Sequence, residues 1–228
     1  LLLDTQEAER ELMGRLSQVA QMIRQAAANR CPAWLRRRRA RRAIAAFPRP
    51  LLLHVGCGDN HFPGWAHLDM NPLLPHVDAL WNSGDGLPCE AGSCRLIYSE
   101  HFLEHITARE GLDFLRECRR ALRTGGVVRI AMPDLRESVQ HYYENQWREQ
   151  PWLKKHGYDW IQTGAEYLNI AMREWGHQWL YDHEELHRRM HEAGFVTVRD
   201  AEWGKSVEPE LCNRETRQES ILICEAVA

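Results

Sequence analysis

After Pro50 the chain changes character: short apolar runs alternate with stretches of helical periodicity, and that alternation leaves few folds open. Leu51 to Val55, Ala66 to Asp69, Leu96 to Ser99 and Val127 to Ala131 read as strands. Between the last two, Leu112, Leu115, Cys118, Ala121 and Leu122 fall on one helical face, and Gly125-Gly126 reads as the stop. Strands separated by helices predict a parallel sheet with helices on both faces. Near the end, Glu184 to Ala193 reads as a helix closed by Gly194, followed by strands over Phe195 to Val198 and Ser220 to Ala226. No helix separates those two strands, so they are expected to pair antiparallel. A chain of 228 residues has room for one such domain, and one site is sought.

Residues 1–49 read as an extension to a domain over 50–228. Asp4 with Glu7 resembles a capping box, and Leu12, Leu16, Val19 and Ile23 follow at helical spacing up to about Asn29, before Pro32. That apolar stripe needs a partner, and without sustained heptads it is expected to pack on its own domain rather than on a twin. Six arginines stand between Arg36 and Arg42; they read as a solvated helix face or linker, turned outward, with the capacity to attract phosphates or anionic lipid.

Bulk properties exclude several classes. The net charge of −3 weighs against nucleic acid as a partner of the whole chain. No apolar run approaches the roughly 20 residues of a membrane span, and Leu1-Leu2-Leu3 is too short for a signal core, so a cytoplasmic protein is expected. The seven cysteines are odd in number, scattered and never spaced C-x-x-C, which indicates neither a disulfide framework nor a cysteine zinc site.

The stretch Leu53-His54-Val55-Gly56-Cys57-Gly58-Asp59-Asn60 runs an apolar strand into closely spaced glycines, where a backbone can turn sharply and approach a ligand. Asp69 ends the next strand, where a carboxylate can accept both hydroxyls of a ribose. Further along stand Gly86-Leu87-Pro88, Tyr98-Ser99-Glu100-His101-Phe102-Leu103-Glu104-His105, Arg120 to Gly126, Ile130-Ala131-Met132-Pro133-Asp134 and Glu192-Ala193-Gly194-Phe195. In these motifs and their order, Leu51 to Ala228 resembles the class I methyltransferases, particularly the bacterial branch found with polysaccharide or natural-product genes. The chain departs from that pattern at His54, where many relatives carry an acid, and at Asn60, in place of a frequent third glycine. The short gap from Gly58 to Asp69, with His61 where a dinucleotide site has glycine, weighs against NAD.

The resemblance implies an α/β, Rossmann-like three-layer sandwich with a mostly parallel seven-stranded sheet and an antiparallel last strand. It implies S-adenosyl-L-methionine as cofactor, with Gly56, Cys57 and Gly58 at the methionine end, Asp69 and Met70 at the ribose, Asn82 or Asp85 at the adenine amine, and Ser99 beside the sulfonium. His101 is the best-placed base or acceptor-orienting group, with Glu100 and Asp134 next. The aromatic-rich stretch within 138–182 lies where the class inserts its acceptor cover, and Tyr142, Tyr143, His177 and Trp179 are candidate acceptor contacts. Many of its other rings are expected to form the small core of the inserted helices. The expected acceptor is an O or N atom of a small molecule, a sugar or glycan precursor or another natural product, handled by a monomer or homodimer.

A rival motif is present. His183-Glu184-Glu185-Leu186-His187 is a literal H-E-x-x-H, and a zinc metallohydrolase is the alternative enzyme; a non-catalytic module of the same fold is a third reading. The helix leads into Gly194-Phe195 and a strand, and Leu186, Met190 and Ala193 form an apolar face beside the histidines. No metal is therefore expected.

Overall fold

The computed structural model describes residues 31–228. The expected amphipathic helix with Leu12, Leu16, Val19 and Ile23, and its packing, lie outside the described residues.

Seven strands form one sheet in the order β3-β2-β1-β4-β5-β7-β6. They are β1 Leu51–Val55, β2 Ala66–Asp69, β3 Ala79–Leu80, β4 Cys94–Glu100, β5 Leu122–Met132, β6 Thr197–Asp200 and β7 Leu222–Val227. β1 to β5 pair in parallel, and β7 runs antiparallel to both β5 and β6, which is the Rossmann-like arrangement expected. β3 has only two residues, too few to leave a periodic trace. β6 and β7 each begin two residues later than expected, at Thr197 and Leu222.

The helices are α1 Ala33–Ile44, α2 Ala108–Ala121, α3 Leu135–Tyr143, α4 Pro151–Lys155, α5 Gly164–Arg173 and α6 His183–Glu192. The arginine-rich stretch is thus helical. Ala40 and Ile44 sit on its buried side, Arg36 and Arg37 turn to the 84–85 turn, and Arg38, Arg39, Arg41 and Arg42 are exposed. The outward expectation is corrected for Arg36: charge alone does not place a residue in water when a buried carboxylate faces it.

Leu112, Phe114, Leu115, Cys118 and Ala121 of α2 are buried. The helix opens on a capping box in which Thr107 Oγ1 accepts from Glu110 N and Glu110 accepts from Thr107 N. Thr107→Ala removes one half of that box and is expected to cost about 1 kcal/mol in denaturant unfolding, whereas Thr107→Ser keeps it.

Gly125-Gly126 does not stop α2. The helix ends at Ala121 and passes directly into β5, where Cys94 pairs with Leu122 but Leu96 with Val127, so residues 123–126 bulge out. Gly126 is required by close approach: a Cβ there would lie 2.9 Å from the Arg95 carbonyl oxygen.

α1, α2 and α6 share one core with the sheet, through Ile44, Leu115, Leu186 and Met190 against Leu53, Leu68, Ile97, Ile130 and Cys224. On the opposite face Phe62, Trp65 and Leu211 pack on Leu96, Tyr98 and Val127. Those three covering residues come from connections and a short 3-10 turn, because the β1–β2 link is too short for the usual crossover helix. α3 to α5 carry a core of their own: Trp147, Leu153, Ile161, Tyr167 and Ile170. Among the described residues no helix is long and apolar enough to cross a membrane.

Candidate active site

The strand order reverses between β1 and β4, and the carboxyl ends of those two strands frame the crevice where open α/β sheets bind ligands. The glycine loop leaves β1 there, and the segment from Ser99 to His105 leaves β4.

Gly56 has φ +66°, and a Cβ at that position would lie 2.8 Å from Phe102 Cβ, so both conformation and space demand glycine. Gly56 N and Cys57 N donate to Leu68 O at 2.9 and 3.2 Å, tying the loop to β2. Cys57 is buried, and burial with Asp69 nearby pushes its thiol up to about 12, so the residue contributes backbone rather than a nucleophile. A Cβ on Gly58 would meet nothing within 4 Å, which leaves open space beside the loop.

Asp69 closes this loop. Its Oδ2 accepts from Gly58 N at 3.0 Å and its Oδ1 from Asn71 N at 2.9 Å. With these bonds each oxygen retains acceptor capacity for a ribose hydroxyl. Met70 beside it is half exposed. Trp81, buried in the core, packs against Phe102 at 5.6 Å between ring centroids and donates its indole N–H to Gly86 O. Asn82 Oδ1 caps the following turn by accepting from Gly84 N. Asp85 faces another way: its side chain is 3% exposed and both oxygens are taken by Arg36, one at 2.8 Å, with Arg37 at 3.4 Å.

The segment after β4 brings together titratable groups with unmet bonds. His101 has φ +48°, uncommon for a residue with a side chain, and its N–H is pinned to Ala131 O at 2.9 Å. His101 Nδ1 lies 3.2 Å from Glu104 Oε1, while Nε2 is buried with no hydrogen-bond partner among the described residues. Glu104 is fully buried; burial pushes its carboxyl up, but His101 and His105 outweigh that and hold it below the ordinary range. Ser99 Oγ is likewise buried and unpartnered among the described residues. Glu100 is differently placed, since its carboxylate accepts from Thr216 N and Oγ1, Arg217 N and Ser220 Oγ and so clasps the β6–β7 connection. Asp134 caps α3 through Arg136 N at 2.8 Å, and its Oδ2 lies 4.0 Å from His183 Nε2.

The expected cover meets this segment at one end. Gln178 N and Trp179 N donate to Glu104 O at 2.8 and 3.2 Å, Gln178 Nε2 donates to His105 O, and the His177 ring lies edge-on to His105 at 4.9 Å. Tyr142 lies against α5, where a Cβ on Gly164 would meet it at 2.7 Å, and Tyr143 is 86% exposed. Trp147 and Tyr167 are buried in the cover's own core, with Trp152 and Tyr158 packed on it, as expected for part of the aromatic set. Reasoning from sequence passed over Phe102 and Glu104 as site residues; for Glu104 the spacing of three from His101 was the available signal.

Residues 70–130 match the family model described as methyltransferase domain. Among curated proteins none matches the chain. The fold is similar to a SAM-dependent methyltransferase from Thermotoga maritima, a possible histamine N-methyltransferase, at 15% identity, covering 85% of this chain and 92% of that one with TM-score 0.48. It is similar also to a SAM dependent methyltransferase from Archaeoglobus fulgidus, at 14% identity over 86% of this chain and 93% of that one, TM-score 0.48. The match over residues 70–130 and the sheet order with its glycine loop are those of a Rossmann-like methyltransferase domain. S-adenosylmethionine is the cofactor that such a domain implies. The crevice fits that cofactor, through the open space at Gly58, the acceptor capacity of Asp69 and the unpartnered Ser99 Oγ at the end of β4.

Proposed function

We propose that the chain transfers a methyl group to a hydroxyl of a small molecule, a sugar precursor or a related natural product, with His101 as general base. The observation that carries this reading is the buried, unpartnered His101 Nε2 whose other nitrogen faces Glu104. S-adenosylmethionine, when bound, supplies a methyl already activated by the sulfonium. Most of the remaining acceleration comes from holding the acceptor in line, and a hydroxyl gains further from a base that takes its proton as the new bond forms. With its proton on Nδ1, which faces the Glu104 carboxylate at 3.2 Å, His101 would offer the Nε2 lone pair to the acceptor. His177 and Trp179, anchored at Glu104 and His105, stand where the cover would touch that acceptor, and Tyr142 and Tyr143 are its outer candidates. Asn82 is the better partner for the adenine amine, because Asp85 is committed to Arg36. The fit of sugar chemistry rests on this mixture of aromatic faces and polar edges.

A panel of hydroxylated sugar precursors and aromatic metabolites, scored by release of S-adenosylhomocysteine, tests the reading; turnover of amines alone would overturn it. For the cofactor half, Asp69→Ala is expected to weaken S-adenosylhomocysteine binding by about 1.5 to 3 kcal/mol in calorimetry, the scale of hydrogen bonds to a charged group. Unchanged affinity would remove the ribose assignment.

A further inference from the structure

His183 and His187 lie one helical turn apart on α6 and are therefore on one face. Asp200 of β6 and Cys224 of β7, which are register partners in the sheet, meet them there. His183 Nδ1 is 2.6 Å and His187 Nε2 2.7 Å from Asp200 Oδ1, and Cys224 Sγ is 3.5 Å from the same oxygen and 4.0 Å from His183 Nδ1. Four donor atoms, one per residue, fall within 4.8 Å of one another. We propose that His183, His187, Asp200 and Cys224 form a tetrahedral site for a divalent ion of the zinc class.

Ligand bonds of about 2.0–2.3 Å in a tetrahedron separate the donor atoms by about 3.3–3.8 Å. The observed spacings lie on both sides of that range, so small side-chain rotations complete the site. Two imidazoles, one thiolate and one carboxylate suit zinc or cobalt, whereas magnesium and calcium take oxygen ligands. Cys224 is buried at the base while the other three ligands are partly exposed, which gives an ion a path in. Asp134 stands behind His183, 4.0 Å from the nitrogen that would not bind the ion, as a carboxylate that orients a ligating histidine does. The site is structural rather than hydrolytic. Glu184, the base in the H-E-x-x-H reading, has an 86% exposed side chain, and Cys224 takes the position a hydrolase leaves to water. An ion here would tie the start of α6 to β6 and β7, joining elements that are otherwise held by packing and the histidine–aspartate bonds.

The test uses the full chain, loaded with Zn2+ and dialysed for metal analysis, and separately titrated with Co2+ as a spectroscopic probe. One equivalent of metal, a tetrahedral cobalt spectrum with a thiolate charge-transfer band, and a zinc-dependent rise in melting temperature are expected. Cys224→Ser should abolish the charge-transfer band, and His187→Ala should weaken cobalt binding at least about tenfold, with metal-free circular dichroism unchanged in both. Sub-stoichiometric metal in the wild type would overturn the proposal. So would full binding with an unaltered spectrum in His183→Ala/His187→Ala, which would place the ion elsewhere, for instance at Glu104, His105 and His177.

Discussion

Arg129→Ala is expected to destabilise the fold by about 3–5 kcal/mol, because it leaves Glu215 buried without its charge partner and Glu225 with Arg199 alone. Arg129 lies on β5 with no exposed surface. Its Nε donates to Glu215 at 2.6 Å, its Nη1 to Glu225 at 2.8 Å and to Lys205 O at 3.0 Å, and its Nη2 to Glu202 O at 2.9 Å. One guanidinium thus ties Glu202, Lys205 and Glu215 of the β6–β7 connection to the sheet. Burial pushes Glu225 up, but hydrogen bonds from Ser206, Arg199 and Arg129 outweigh it, so the folded carboxyl lies below its ordinary value. A carboxylate depressed in this way stabilises the fold above its unfolded pKa of about 4.3, and that stability fades as pH falls through the lower folded value. Without Arg129 the lowering of Glu225 is smaller, since only the bonds from Ser206 and Arg199 remain to offset burial, and less stability is then lost when that carboxyl protonates. The gap between wild type and variant in urea unfolding is therefore expected to narrow as pH falls from 7 to below about 4. A gap independent of pH would mean that lost packing, not charge, sets the cost.

A His101→Ala chain should bind S-adenosylhomocysteine as the wild type does while turning acceptor over about 10² to 10⁴ times more slowly, the range for loss of a general base. Glu104 acts through His101 and is a positioning residue; Glu104→Gln is expected to lower kcat at unchanged KM, since its backbone bonds to Gln178 and Trp179 survive the change. Equal loss of cofactor affinity and turnover in His101→Ala would make the residue structural. The strained backbone at His101 supports the catalytic reading, because an uncommon conformation persists only where the surroundings impose it.

Much of the sheet was legible because the central strands are mostly apolar and bounded by turn residues, and β1 and β2 fall on the expected positions. What escaped was decided by distant partners. Nothing local says that Gly125-Gly126 should bulge from β5 rather than end α2; the register of β4 decides it. Charge masked α1, whose apolar side is reduced to residues such as Ala40 and Ile44. Asp85 and Asn82 were equivalent adenine candidates until Arg36, 49 residues away, was seen to occupy one of them. Glu100 and Glu104 differ by four residues in one segment, yet one clasps a loop and the other faces His101, a distinction that only the β6–β7 connection makes. The same holds for His183 and His187: the motif was visible, but Asp200 and Cys224 arrive from strands 17 and 41 residues beyond His183.

The separate apolar nucleus of α3 to α5 has a thermodynamic consequence. A segment that buries Trp147, Leu153, Ile161, Tyr167 and Ile170 mainly against one another can open as a cooperative unit without unfolding the sheet. Its amide protons should then exchange as a group, faster than those of β1, β4 and β5. At its C-terminal end the unit is latched by the bonds from Gln178 and Trp179 to Glu104 O, next to the groups proposed to act on the acceptor. On the proposed function, releasing that latch would let a methylated product leave while the glycine loop and Asp69 keep their places, and the separate nucleus leaves this unit's sequence free to change without disturbing the crevice.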